Sequence, residues 1–361
     1  MNAAHAELPS CARLSPSNLL NCARAEKEGA WVLDPIEEEW RDRQPFLASR
    51  GYMLRPRYRP GWIPSWHGTN IHPSYCEDSI EQLLPQILDA RRLDGTVVGI
   101  KRTKNTTTEI AIALFLASEK CKRDPRNHCV SIYDNFSDPL EPDISFIVMP
   151  LLRPFDDPEF GTVGEVLDFI GQTLEGLMFL HSVNVAHRDC VGLNIMMDAR
   201  TLYPKGWHPV RYTHAPNGFH DLPPASRLDA GVRYLFIDWG LSTRFFPGER
   251  PLVTGVKGRD QDVPELSSTT PYDAFKVDIF ILGHVYQTDL YNVYYGLDFL
   301  LPIIRTMMAN NPQLRPTAEE AFNAFQKVYL KVIPTMLRTG LHRRDESIPK
   351  WIYNKVKRLV G

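Results

Sequence analysis

A chain of 361 residues is too long for one small core and suits one large bilobal domain or two ordinary ones. Its 43% hydrophobic and 23% charged residues describe a globular protein, and a net charge of −2 excludes the basic excess that a general nucleic-acid binder carries. Proline is the outlier: 29 of 361 residues, about 8% against a usual ~5%, predict long irregular connections.

Cys11, Cys22, Cys76, Cys121, Cys129 and Cys190 show no CxxC spacing and read as reduced thiols, which favours a reducing compartment. One histidine, His128, between Cys121 and Cys129 does not match a zinc knuckle. No apolar run approaches the ~20 residues that span a bilayer, and no basic segment precedes an apolar one at the start. The expectation is a soluble intracellular protein of cytoplasm or nucleus, with no membrane and no specific nucleic-acid partner.

Residues 1–44 are expected as an N-terminal extension, partly disordered, polar and small over its first part. From Trp31 to Tyr75 the chain is rich in aromatics, proline and arginine, with Arg50, Arg55, Arg57 and Arg59 beside Trp62 and Trp66. Such a stripe could track phosphates. The near-neutral charge favours an irregular strap whose rings pack on a lobe while the guanidinium groups reach water.

In Gln86–Arg102, two short β-prone runs flank Asp94-Gly95, a hairpin signal, and the second run carries Lys101 near its end. Thr106–Lys120 reads as one helix, with a threonine cap near Thr106, an early Glu109 and apolar residues at helical spacing. Asp143–Leu152 is a buried strand stopping at Pro150, and Val163–Val183 is an amphipathic helix with Val166, Ile170, Leu174, Leu177 and Leu180 along one side. Residues 198–231 read as a surface insertion. Strands and one helix come first and a mostly helical region follows. The fold class is therefore α+β, a small sheet-bearing lobe over 45–149 and a larger helical lobe over 150–361.

The polar residues fall in a definite order. His187-Arg188-Asp189 is followed five positions after the aspartate by Asn194 and then an apolar strand. Asp238-Trp239-Gly240 follows a second apolar strand. Downstream lie Val263-Pro264-Glu265, the pair Asp278 and Gly283 in an apolar helix, and Arg315. Phosphoryl transfer needs residues of these types: a carboxylate to orient a hydroxyl and take its proton, and oxygen ligands for magnesium.

Together these motifs resemble the protein-kinase signature, and the texture of VMPLLRPF, HRDCVGLNIMMD and IDWGLS is similar to a divergent fungal group of protein-kinase-like proteins. The resemblance covers the chain from about residue 45 and implies a bilobal kinase fold using ATP and magnesium. It makes Asp189 the catalytic carboxylate, Arg188 its companion facing the activation segment, and Asn194 and Asp238 the metal ligands. Lys101, in VVGIK, would hold the α- and β-phosphates, paired with Glu109 or, alternatively, Glu119. Met149 would guard the pocket, with Pro150, Leu151 and Leu152 lining the adenine. Glu265 would pair with Arg315, and Thr243 or Thr254 would accept a regulatory phosphate.

Two features depart from that pattern. No glycine lies between Tyr75 and Arg92, where amides should close over phosphates, and Val191 stands where serine/threonine kinases carry lysine. The leading expectation is a serine/threonine-type kinase acting on a protein substrate. A pseudokinase that binds without catalysis is the alternative. A small-molecule kinase is a weaker third, opposed by Arg188 and the Val263–Glu265 segment.

Overall fold

The computed structural model describes residues 8–223 and 225–346, a mixed α/β chain that divides into two compact units. One gathers Met1–Lys104, Tyr133–Leu151 and Tyr203–Pro224; the other gathers Asn105–Ile132, Leu152–Leu202 and Ala225–Gly361. None of the helices among the described residues is long and apolar enough to cross a membrane.

The first unit opens with α1 (Pro16–Lys27) and α2 (Pro35–Ser49). At the start of α2, Glu37 N–H donates to Asp34 Oδ1 at 2.8 Å and Asp34 N–H donates to Glu37 Oε2 at 3.1 Å, with Pro35 in the first turn. This reciprocal box satisfies amides that a helix start leaves unpaired. Residues 8–44, expected as a loosely ordered extension, thus form α1 and most of α2, and the expected boundary at 44/45 falls inside a helix.

Five antiparallel strands follow, β1 (Tyr52–Leu54), β2 (Ile87–Arg92), β3 (Val97–Lys104), β4 (Asp134–Ser137) and β5 (Ile144–Pro150), in the order β1-β2-β3-β5-β4. The β2–β3 turn uses Gly95 at φ +87°, and Thr96 N–H donates to Asp94 Oδ1 at 2.9 Å. Trp40 and Leu47 of α2 bury against Leu88, Val98, Ile100, Phe146 and Val148. Alternation then turns Asp89, Gly99, Lys101, Ile147 and Met149 to the other face, and the register sets Gly99 opposite Met149 and Lys101 opposite Ile147.

Two strap arginines do not reach water. Arg57 is wholly buried and donates to both oxygens of Glu37 at 2.7 Å, and Arg55 donates to Asp89 at 3.0 Å and to Ile80 O at 2.8 Å. Carboxylates on α2 and β2 reach these guanidinium groups, so burial no longer isolates a charge. The expected surface insertion also differs. Tyr203, Trp207 and His208 are buried, Arg211 donates to Ser74 O at 3.2 Å, and Gly218 lies so near Ile80 that a Cβ would stand 2.7 Å from its Cδ1.

The second unit begins with α3 (Glu109–Leu116) and α4 (Glu119–Lys122). One helix was expected here. The Asn127 side chain donates to Leu116 O and Cys121 O at 3.0 and 3.1 Å, satisfying carbonyls at the break. The N-cap of α3 is Thr108 rather than Thr106. Strand β6 (Arg153–Pro154) leads to α5 (Val163–Ser182), whose expected apolar side is buried. Then come β7 (Val185–Ala186), β8 (Ile195–Asp198), α6 (Arg227–Ala230), β9 (Arg233–Phe236), β10 (Thr243–Arg244), β11 (Leu252–Gly255) and β12 (Ser267–Asp273). Helix α7 (Ala274–Val285), almost wholly buried, continues into a π-helical turn over Tyr286–Tyr291 and is followed by α8 (Leu301–Met307), α9 (Ala318–Tyr329) and α10 (Pro334–Leu337). Strands β6, β8 and β9 form one small sheet, β7 pairs with β10, and β11 pairs with β12.

Candidate active site

The loop after β7 is held by one buried carboxylate. Asp278 of α7, with no exposed surface, accepts from His187 N–H at 2.9 Å and Arg188 N–H at 2.6 Å, and its Oδ2 lies 3.0 Å from His181 Nε2. These bonds fix Arg188 at φ +66°, a left-handed conformation that a side chain adopts only when its surroundings hold it there. His187 Nδ1 accepts from Asp189 N–H at 3.3 Å, so its other nitrogen carries the proton and donates to Ile237 O at 3.0 Å. Burial pushes the His187 imidazole below its ordinary range, in keeping with this neutral form, although Asp278 opposes the shift. The ring packs against buried Trp239, centroids 5.0 Å apart.

From this anchored loop the candidate groups converge. Asn194 Nδ2 donates to Asp189 O at 2.8 Å and to Asp189 Oδ2 at 2.9 Å. Ile237 N–H donates to Asn194 O at 3.0 Å, which brings Asn194 and Asp238 to neighbouring positions at one end of the β8–β9 pair. Asp238 has φ +62° and is exposed, and its Oδ1 accepts from Gly240 N–H at 3.3 Å. A Cβ on Gly240 would lie 3.2 Å from Asp238 Oδ1 and 3.7 Å from Glu109 Oε2, so α3 delivers Glu109 to the same turn. Glu109 is buried, whereas the Glu119 side chain is 80% exposed and bonds Lys122. Leu152 is buried in this unit; Lys101, Met149 and Leu151 belong to the other, Lys101 and Met149 on its sheet face away from α2.

The segment from Asp238 to Glu265 folds back over the loop. Arg188 donates to Leu241 O at 3.3 Å, Thr243 Oγ1 at 3.2 Å and Thr254 O at 3.1 Å, so both candidate phosphate acceptors already contact it. Gly258, at φ +136°, passes close enough that a Cβ would stand 3.6 Å from Asp189 Oδ1, and Arg259 N–H donates to that oxygen at 2.8 Å. The segment ends at Glu265, whose two oxygens accept from Arg315 at 2.5 and 2.8 Å. Arg315 also lies over the Phe280 ring at 4.7 Å and donates to Lys276 O and Ala309 O.

Beside the loop opens a cavity of about 660 Å³ whose lining includes Val191, Gly192, Arg259, Asp260 and His284. The individual role of Arg259 was not singled out from the sequence. The signal available was its place in Arg259-Asp260-Gln261-Asp262, directly before Val263-Pro264-Glu265. Comparison with known protein-family models finds no match, and comparison with curated proteins finds none either.

Proposed function

We propose that the chain is an ATP- and magnesium-dependent protein kinase of serine/threonine type, with a bilobal kinase fold and an affinity to divergent fungal kinase-like proteins. One observation carries the reading. Asp189, Asn194 and Asp238, the residues that the motif order selects, lie in one hydrogen-bonded neighbourhood held by Asp278. Chance matches to isolated motifs give no reason for that convergence.

The donor set fits a hard cation. The amide nitrogen of Asn194 is engaged by Asp189, leaving its oxygen as the ligand atom, and Asp238 presents an exposed carboxylate. Oxygens of this kind suit magnesium; the bound ion would neutralise charge on the phosphates. Each Asp189 oxygen accepts one hydrogen bond from the chain, so each retains a lone pair for an acceptor hydroxyl. Asp189 then orients that hydroxyl and takes its proton. By the motif order, Lys101 and Met149, on one sheet face, are assigned to the phosphates and the pocket entrance, and Leu151 and Leu152 to the adenine.

Val191 leaves the loop without its usual cation. Arg259 lines the same cavity as Val191, and its N–H already sits on Asp189, so we assign its guanidinium the missing charge. The six cysteines are all free thiols, which supports a reducing compartment. Val191 and the glycine-free stretch before β2 also favour a second reading, a pseudokinase that binds nucleotide weakly. Transfer of labelled γ-phosphate to a mixture of protein acceptors separates the two. Transfer by the wild type that Asp189→Ala abolishes supports the kinase; equal background from both supports the pseudokinase.

A further inference from the structure

The cavity beside Asp189 has a composition that the transfer reaction itself does not require. Its lining mixes apolar Phe155, Leu193, Ile281 and Val285 with the carboxylates of Asp156, Asp260, Asp262 and Asp289. Four carboxylates face one guanidinium, Arg259, and one imidazole, His284. His284 is engaged: its Nδ1 lies 2.8 Å from Asp260 Oδ2 and its Nε2 3.8 Å from Asp262 Oδ2. Among the described residues neither Asp156 nor Asp289 forms an ion pair, and the half-buried Asp289 accepts from the Thr288 hydroxyl at 2.9 Å. Burial, with Asp156 adding like charge, raises the Asp289 carboxyl above its usual range. A carboxylate withdrawn from water without a cation is costly, and a visiting cation offsets that cost.

We propose that this cleft receives a basic stretch of the acceptor protein, with a lysine or arginine side chain reaching Asp289 and Asp156 while its stem lies against the apolar part of the lining. Its role in choosing the acceptor rests on the kinase reading; its charge preference does not. The long alkyl stem and charged head of a basic residue match a lining that mixes apolar and acidic side chains. The position is suitable as well. Val191 and Gly192 follow Asp189 by two and three residues, and Arg259 bonds it directly.

The test is fluorescence anisotropy on the full chain without nucleotide, using three labelled serine peptides that differ only in flanking arginine, alanine or glutamate. The arginine peptide is expected to bind best, and more weakly at high salt. Asp262→Asn and Asp289→Asn should each weaken it about two- to fivefold. The Asp262 side chain is 78% exposed, so that variant tests the charge without disturbing the fold. Equal binding of all three peptides, no binding of the arginine peptide at millimolar concentration, or wild-type affinity in both variants overturns the proposal. Displacement of the peptide by magnesium alone, lost in Asp262→Asn, would also overturn it by assigning the cleft to a metal. MgATP binding is measured in parallel. Charge selection without nucleotide binding rejects the kinase reading alone, and nucleotide binding without charge selection rejects the cleft alone.

Discussion

Replacing Asp278 with alanine removes the acceptor for two loop amides, His187 N–H and Arg188 N–H, and the partner of His181. Each orphaned buried amide costs about 1–3 kcal/mol. His181 retains some exposure and turns to water, while loss of a fully buried carboxylate returns part of the penalty. The net expectation is a loss of about 3 kcal/mol. For a unit of this size that corresponds to roughly 6–12 °C in Tm. The assay is urea unfolding followed by circular dichroism, beside Asp278→Asn. Asparagine keeps one acceptor oxygen but turns an NH2 toward a second donor, so it should recover less than half of the loss. Phosphotransfer should fall further than stability does, because Arg188 holds its left-handed conformation only while both amides are engaged. Losses under about 1 kcal/mol in both variants would refute the idea that this carboxylate holds the loop.

Arg315→Met leaves Glu265 without its bidentate partner and should cost about 3 kcal/mol; adding Glu265→Leu should restore at least about 1 kcal/mol, read from urea midpoints in a double-mutant cycle. Burial lowers the folded-state pKa of both His128 and His187 below the ordinary 6.5. As pH falls, the unfolded chain therefore binds protons first. Stability should be intact above about pH 6.5 and decline as pH drops from there toward the depressed folded values, with a shallower slope in His128→Asn. An unchanged slope would contradict this. Arg259→Ala should lower phosphotransfer by about tenfold or more while leaving MgATP affinity and Tm nearly unchanged; unaltered turnover would remove Arg259 from the reaction.

The loop from His187 to Asn194 was legible because the chemistry proposed for it needs fixed residue types at short spacing, and Asp189, Asn194 and Asp278 can be picked out without tertiary knowledge. Asp34-Pro35 with Glu37 is a helix-start signal, and it begins α2. Strand β1 has three residues, too few for alternation to register. The break between α3 and α4 depends on Asn127, eleven residues beyond Leu116, and so on tertiary structure. Arg55 and Arg57 find their carboxylates 34 and 20 residues away, at Asp89 and Glu37, which local composition does not reveal. Which of Glu109 and Glu119 is buried likewise depends on tertiary structure. The acidic cleft draws residues from four separate stretches, so its charge appears only once the chain is folded.

Calorimetric titration of the wild type and Asp238→Ala with ATP, each with and without magnesium, tests the central claim most directly. The account predicts magnesium-dependent binding by the wild type and its loss in the variant. Absence of heat at millimolar nucleotide, or equal binding by the two proteins, would contradict it.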